Sequence, residues 1–198
     1  MICTSKPIST ADTALSIHIK DLHETNADLI DQLAHILMDC FFDFSPDWLP
    51  TLEDAVEEIH ESFEPGRRSR ILVNDRDDVL GWIGAFEDDN CWEIHPIVMA
   101  RDAQRKGYGE MLIDDITRLA IEGGAVALWA GTSDETRATS LSEVDLYEDP
   151  FTAMKDMTAH KDHPVHFWKK IGFTLIGVMP DEEGLGKPGI HFAKRIKT

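Results

Sequence analysis

Residues 91–122 constrain the chain most. Cys91 to Met99 is an apolar, strand-like run interrupted by Pro96, and Gln104-Arg105-Lys106-Gly107-Tyr108-Gly109 follows it. Tyr108, Met111, Leu112, Ile116, Leu119 and Ala120 then fall on one stripe at helical spacing. Strand, glycine-rich turn and amphipathic helix together turn backbone N–H groups toward an anion at the helix start. Arg105 and Lys106 add positive charge, and the two glycines let a ligand approach the main chain. The turn alone is equally compatible with a loop that binds nothing.

Order along the rest of the chain sets the fold class. Ser16 to Leu22 reads as a strand, and Asn26 can cap a helix running to about Cys40. Phe41 to Pro50 is an aromatic, proline-rich loop. Thr51 and Asp54 form a capping-box pattern for a helix that ends before Pro65-Gly66. Arg70–Asn74 and Val79–Phe86 read as strands, as does the uninterrupted apolar run 125–130. A mixed stretch from Gly131 to His163 includes a helix near residues 150–157. Pro164 opens a short helix that Gly172 ends. Strands at 173–179 and 190–196 finish an α/β chain (α+β in some schemes), read as one domain over 1–198 with residues 1–15 a loosely packed extension.

Charge narrows the partners. The 198 residues carry 37 Asp and Glu against 19 Lys and Arg, a net charge of −18, which argues against nucleic acid or an anionic membrane. From Asp21 through Gly66 there are thirteen acidic residues and no Lys or Arg. That stretch reads either as a solvated surface or as a field attracting a polycation. No apolar run reaches membrane-spanning length, and the first residues lack a signal-peptide core. Cys3, Cys40 and Cys91 form neither a metal-ligand spacing nor a complete disulfide set, so a cytoplasmic setting is expected. His160, His163 and His166 recur every third residue, but Pro164 starts a helix between them, so a polar helix entry is expected and no metal.

The element order, with the glycine turn after the fourth strand, resembles the GNAT acetyltransferase superfamily. Trp92-Glu93-Ile94-His95-Pro96, Gly131-Thr132, Asp145-Leu146-Tyr147-Glu148, His163-Pro164, Phe167, Gly172-Phe173, Gly177-Val178 and Lys187-Pro188 resemble the aminoglycoside 6'-N-acetyltransferases within it. The match covers about Gly81 to Ile196 and is weak before Phe63. It implies a central mixed, mostly antiparallel, twisted sheet, splayed between strands four and five and flanked by helices. It implies acetyl-CoA as co-substrate, an aminoglycoside as acceptor, direct transfer in a ternary complex, and a homodimer.

Residue roles follow from that resemblance. N–H groups freed near Ile97 and Val98, where Pro96 breaks the ladder, would bind pantetheine and polarise the thioester carbonyl. The pyrophosphate would rest on the turn from Gln104 through Arg105, Lys106, Gly107 and Tyr108 to Gly109. Strand alternation puts Glu93, His95 and Ile97 on one face. Glu93 is the expected base for the acceptor ammonium, against a reading as a half-exposed strand residue paired with a cation. His95 either orients that base or is a structural, hydrogen-bonded histidine. Many family members place a Tyr near the coenzyme sulfur as general acid, where this chain has Trp168. Acceptor candidates are Phe42, Asp43, Asp47, Trp48, Asp134, Glu135 and Asp162, beside Glu93, with carboxylates to pair ammonium groups and aromatic rings to pack a sugar. Two rival readings are an acetyltransferase for another cationic amine (a polyamine or a protein N-terminus) and an acyl-CoA- or drug-binding protein without turnover.

Overall fold

A computed structural model of the chain describes residues 15–43, 45 and 47–197. Residues 1–14 of the expected N-terminal extension lie outside them. Among the described residues seven strands form one sheet in the order β1-β2-β3-β4-β5-β7-β6. They are β1 (Ile17–Asp21), β2 (Arg67–Asn74), β3 (Val79–Phe86), β4 (Cys91–Met99), β5 (Ala127–Ser133), β6 (Thr174–Met179) and β7 (Gly189–Arg195). All neighbours pair antiparallel except β4 and β5, which are parallel. The helices are α1 (Ala27–Phe41), α2 (Leu52–Glu61), α3 (Tyr108–Glu122), α4 (Pro150–Lys155) and α5 (Val165–Lys170).

Local chemistry accounts for most boundaries. Thr51 and Asp54 complete the expected capping box at α2, each side chain meeting the other's backbone N–H. Asn26 stands at the α1 N-cap but does not cap that helix; its Oδ1 accepts from His23 N instead. Strand β2 begins at Arg67, earlier than apolar patterning suggests, because Arg67 and Arg68 pair with Phe86 and Ala85 in the ladder. Polar residues at a strand end carry no hydrophobic period, so this start is invisible to pattern reading.

Two apolar layers cover the sheet. Leu112, Ile113, Ile116 and Ala120 of α3 pack with Trp92, Ile94, Leu128, Trp168 and Phe192 on one face. Leu33, Leu37, Ala55 and Ile59 of α1 and α2 pack with Ile71, Trp82 and Val98 on the other. Arg70 of β2 ties β1 to α3 at one edge, its guanidinium 2.6 Å from both Asp21 and Asp115. Among the described residues no helix is long and apolar enough to cross a membrane.

Candidate active site

Strand β4 carries the break on which the site is built. Ile83 faces Ile97 and Ala85 faces Ile94, so the single residue Gly84 opposes both His95 and Pro96. This is a β-bulge, placed where proline cannot donate to the ladder. One extra residue shifts the alternation by one. Trp92 and Ile94 point into the α3 layer before the bulge, and Ile97 and Met99 do so after it. Val98 packs into the α1–α2 layer. The expectation that Ile97 shares a face with Glu93 and His95 is therefore corrected.

Backbone directions shift with it. Val98 faces Trp82, and two residues on Ala100 N donates to Leu80 O. Alternation turns the Val98 amide toward β3 and the Ile97 and Met99 amides away from it. The Val98 N–H, expected to be free, is thus committed to the ladder, and the Ile97 and Met99 N–H groups face away from β3. On the far side, β4 pairs with β5 only through Cys91, Trp92 and Glu93. Beyond Glu93 and Trp129 the two strands part.

A cleft of about 430 Å³ opens at this parting. Glu93, His95 and Ile97 of β4, Trp129 of β5 and Trp168 of α5 contribute to its walls, and Asp47 and Trp48 close it from the α1–α2 loop. Ser45 Oγ, 2.7 Å from Ser133 Oγ, fixes that loop to the end of β5. Glu135, Glu182, Glu183 and His191 form the remaining wall, and among the described residues no Lys or Arg lines the cleft. Lys187 stands close by, 3.7 Å from Asp47. Glu135 is 9% exposed, and its Oε2 has no hydrogen-bond partner among the described residues.

Burial tunes the groups inside. Desolvation raises the Glu93 carboxyl above its ordinary value, and the positive field of Arg67 works against it. Desolvation, then Arg67, lowers the His95 imidazole. Glu183 is raised by desolvation and by the neighbouring Glu135 and Glu182. These are the directions expected for acids and imidazoles withdrawn from water beside like or unlike charges.

Several expected acceptor residues sit elsewhere. Asp134 is fully buried, and its carboxylate accepts from Ala138 N (2.6 Å), Thr139 N (3.1 Å), Thr139 Oγ1 (2.6 Å) and Ser142 Oγ. It folds the loop after β5 and, being fully buried, does not line the cleft. Asp162 pairs with Arg105 of the glycine turn at 2.9 Å, so it belongs to the anion side. Asp43 pairs with Arg101 at 2.8 Å, and Phe42 is exposed; neither lines the cleft. Phe41 does, with its ring against Trp48. His163 is buried, and its Nδ1 accepts from Val165 N at the start of α5.

Glu58, Glu182 and Glu183 escaped the sequence reading. The last two lie in a loop whose glycines and proline mark a turn and nothing more. Glu58 had a usable signal: it follows Ala55 by three residues and precedes Ile59, both buried, so helical spacing turns it inward.

The glycine turn completes the geometry. Gly107 has φ +86° at the N-cap of α3, and a Cβ there would meet no atom within 4 Å. Among the described residues, no acceptor takes the N–H groups of Arg105, Lys106, Gly107, Tyr108 or Gly109. A run of free amides at the start of a fifteen-residue helix is a ready anion cradle. The chain also matches the model of the Acetyltransferase (GNAT) family over residues 30–152. It belongs to that family.

Solved structures of GNAT enzymes agree with this assignment. An aminoglycoside 6'-N-acetyltransferase complexed with coenzyme A is 29% identical, with a TM-score of 0.82 over 91% of this chain and 98% of that one. The aminoglycoside 6'-N-acetyltransferase from Enterococcus faecium is 30% identical, with a TM-score of 0.79 and the same coverage. Aminoglycoside 6'-acetyltransferase type Ii is 25% identical, with a TM-score of 0.66. The acetyltransferase fold, with its mixed sheet and helices on both faces, is the one expected from the sequence.

Proposed function

We propose that this acetyltransferase transfers acetyl from acetyl-CoA to an amino group, at the 6' position, of an aminoglycoside, directly within a ternary complex. The observation that carries this reading is the cleft at the β4–β5 parting, lined by Asp47, Glu93, Glu135, Glu182 and Glu183 and, among the described residues, by no Lys or Arg. Such a wall suits a ligand with several ammonium groups on a polar frame. Trp48 and Trp129 offer faces for a sugar ring or a cation.

The residues present fit acetyl-CoA. Free amides from Arg105 to Gly109 would hold its pyrophosphate, and the Ile97 and Met99 amides would meet its pantetheine arm. When bound, acetyl-CoA supplies the thioester-activated acetyl group. The Ile97 N–H is aimed to stabilise charge developing on a carbonyl oxygen, a contribution of several kcal/mol (about 3–4 for a single donor). Glu93 accepts the proton that the acceptor ammonium must lose before its nitrogen can attack, and a raised carboxyl improves its match to an amine near neutral pH. Trp168 is buried at the cleft wall and can donate no useful proton, so the thiolate must leave unassisted or take its proton from water.

Thiol release from acetyl-CoA with kanamycin-like drugs, spermidine or a short peptide tests the reading. Turnover with the drugs is expected. Turnover confined to spermidine or peptide would replace the acceptor, and tight drug binding without turnover would point to sequestration.

A further inference from the structure

Glu58 is an acid turned the wrong way for a surface helix. Its side chain is 12% exposed and its Oε1 lies 3.5 Å from His95 Nε2. Other acids of α2 have ordinary tasks: Asp54 closes the capping box and Glu61 stands 3.6 Å from Arg67. Among the described residues, His95 is the one side chain within ion-pair reach of Glu58, and no hydrogen bond meets its carboxyl. A buried acid so placed costs desolvation and adds little stability over a neutral side chain. What it does gain is a hold on an imidazole that lines the reaction cleft.

We propose that Glu58 is a positioning residue for acetyl transfer, holding His95 by Nε2 and leaving Nδ1 as the ring nitrogen available to the cleft. The proposal rests on the reading of Glu93 as base. One proton leaves the acceptor nitrogen for the Glu93 carboxylate and passes through water to His95 Nδ1. When the 3.5 Å contact shortens to a hydrogen bond, the imidazole releases one proton from Nε2 to the Glu58 carboxylate, so the ring ends neutral and Glu58 ends protonated. A carboxylate behind a histidine fixes ring orientation and tautomer in the same way at many sites.

The surrounding charges suit this exchange. Burial, then Glu61, raises the Glu58 carboxyl to about 7, with Arg67 opposing. Arg67 of β2 also bears on Glu93 and His95, and it is itself flanked by Glu61 and Glu64. Trp48 and Phe86 pack against the imidazole at centroid distances of 5.4 and 5.7 Å. The two proton-holding groups therefore face one cation, two aromatic rings and each other.

Nitrogen-15 spectra of the His95 ring, assigned with His95→Asn and recorded from pH 5 to 9 on the full chain, test the contact without any acceptor. The wild type is expected to show one ring tautomer and an inflection near pH 7, and Glu58→Gln is expected to lose both. Identical His95 profiles in the two proteins would overturn the proposal. Should Glu58→Gln not fold, Glu58→Asp withdraws the acid by one methylene and is expected to lose the single tautomer. With an acceptor that turns over, Glu58→Gln should lower kcat about 10-fold with KM for acetyl-CoA unchanged, and a change in KM alone would also overturn it. Absence of turnover with every amine would sink the functional reading, while the ring spectra would still decide the Glu58–His95 contact.

Discussion

Gly84 and His95 meet backbone to backbone: a Cβ at position 84 would lie 2.2 Å from the His95 carbonyl oxygen. Neither atom can rotate away, because both belong to paired strands. Gly84→Ala must therefore push β3 from β4 at the bulge. An expected loss of about 1–3 kcal/mol, measured by urea unfolding, should accompany a larger fractional loss of turnover. Wild-type activity in Gly84→Ala would mean that the bulge does not set the site.

As the proposed base, Glu93 should give the pH profile its acid limb. Its carboxyl is raised by desolvation, and only the ionised form can take a proton. kcat/KM should rise with pH through a value above the ordinary glutamate range. Glu93→Gln should flatten this limb and cost about 10²–10⁴-fold in rate, with coenzyme A affinity by calorimetry unchanged. An unaltered rate would remove Glu93 as the base.

Asp134 and Glu135 are adjacent acids with opposite expected outcomes. Asp134 satisfies four donors in a buried loop, so Asp134→Ala should cost about 3–5 kcal/mol of stability. Glu135 holds an unpartnered oxygen at the cleft wall. Glu135→Gln should leave the fold as stable or more so, and raise KM for a polycationic acceptor about 10-fold, equivalent to one lost charge-assisted contact. Equal effects of the two substitutions on stability would contradict this division.

Glu58 also leaves a signature in stability. Its folded-state value of about 7 exceeds the unfolded 4.5, so the folded chain binds more protons between these limits. Stability is then expected to fall as pH rises from about 4.5 to 7, by roughly 1–2 kcal/mol after allowance for screening. Glu58→Gln should reduce that slope and gain on the wild type at pH 8, as thermal melts at pH 5 and 8 would show. Parallel melts at the two pH values would rule out a raised Glu58.

What could be read from the sequence divides along physical lines. The glycine turn, Pro96 and the α3 stripe are local patterns, and each specified its own geometry. Pro96 announces a bulge or a parting of strands, but the face of Ile97 does not follow from that, because alternation counts residues and only the pairing with Gly84 shows that one is added there. Glu182 and Glu183 reach the cleft because β7 pairs beside β5, a long-range contact with no local trace. Asp134 looked like an acceptor contact because a buried loop anchor and a ligand carboxylate share one residue type. Their difference lies in which donors surround them.

The cleft at the parting of β4 from β5 takes its walls from both layers, Phe41 and Trp48 from one and Ile97 and Trp168 from the other. The glycine turn starts α3 on one layer, while His95 and Glu58 meet under α2 on the other. Two partners reaching the same point from opposite sides need not queue. For the proposed reaction this geometry implies kinetics without an obligatory order of arrival, in which neither partner must vacate the entrance the other uses.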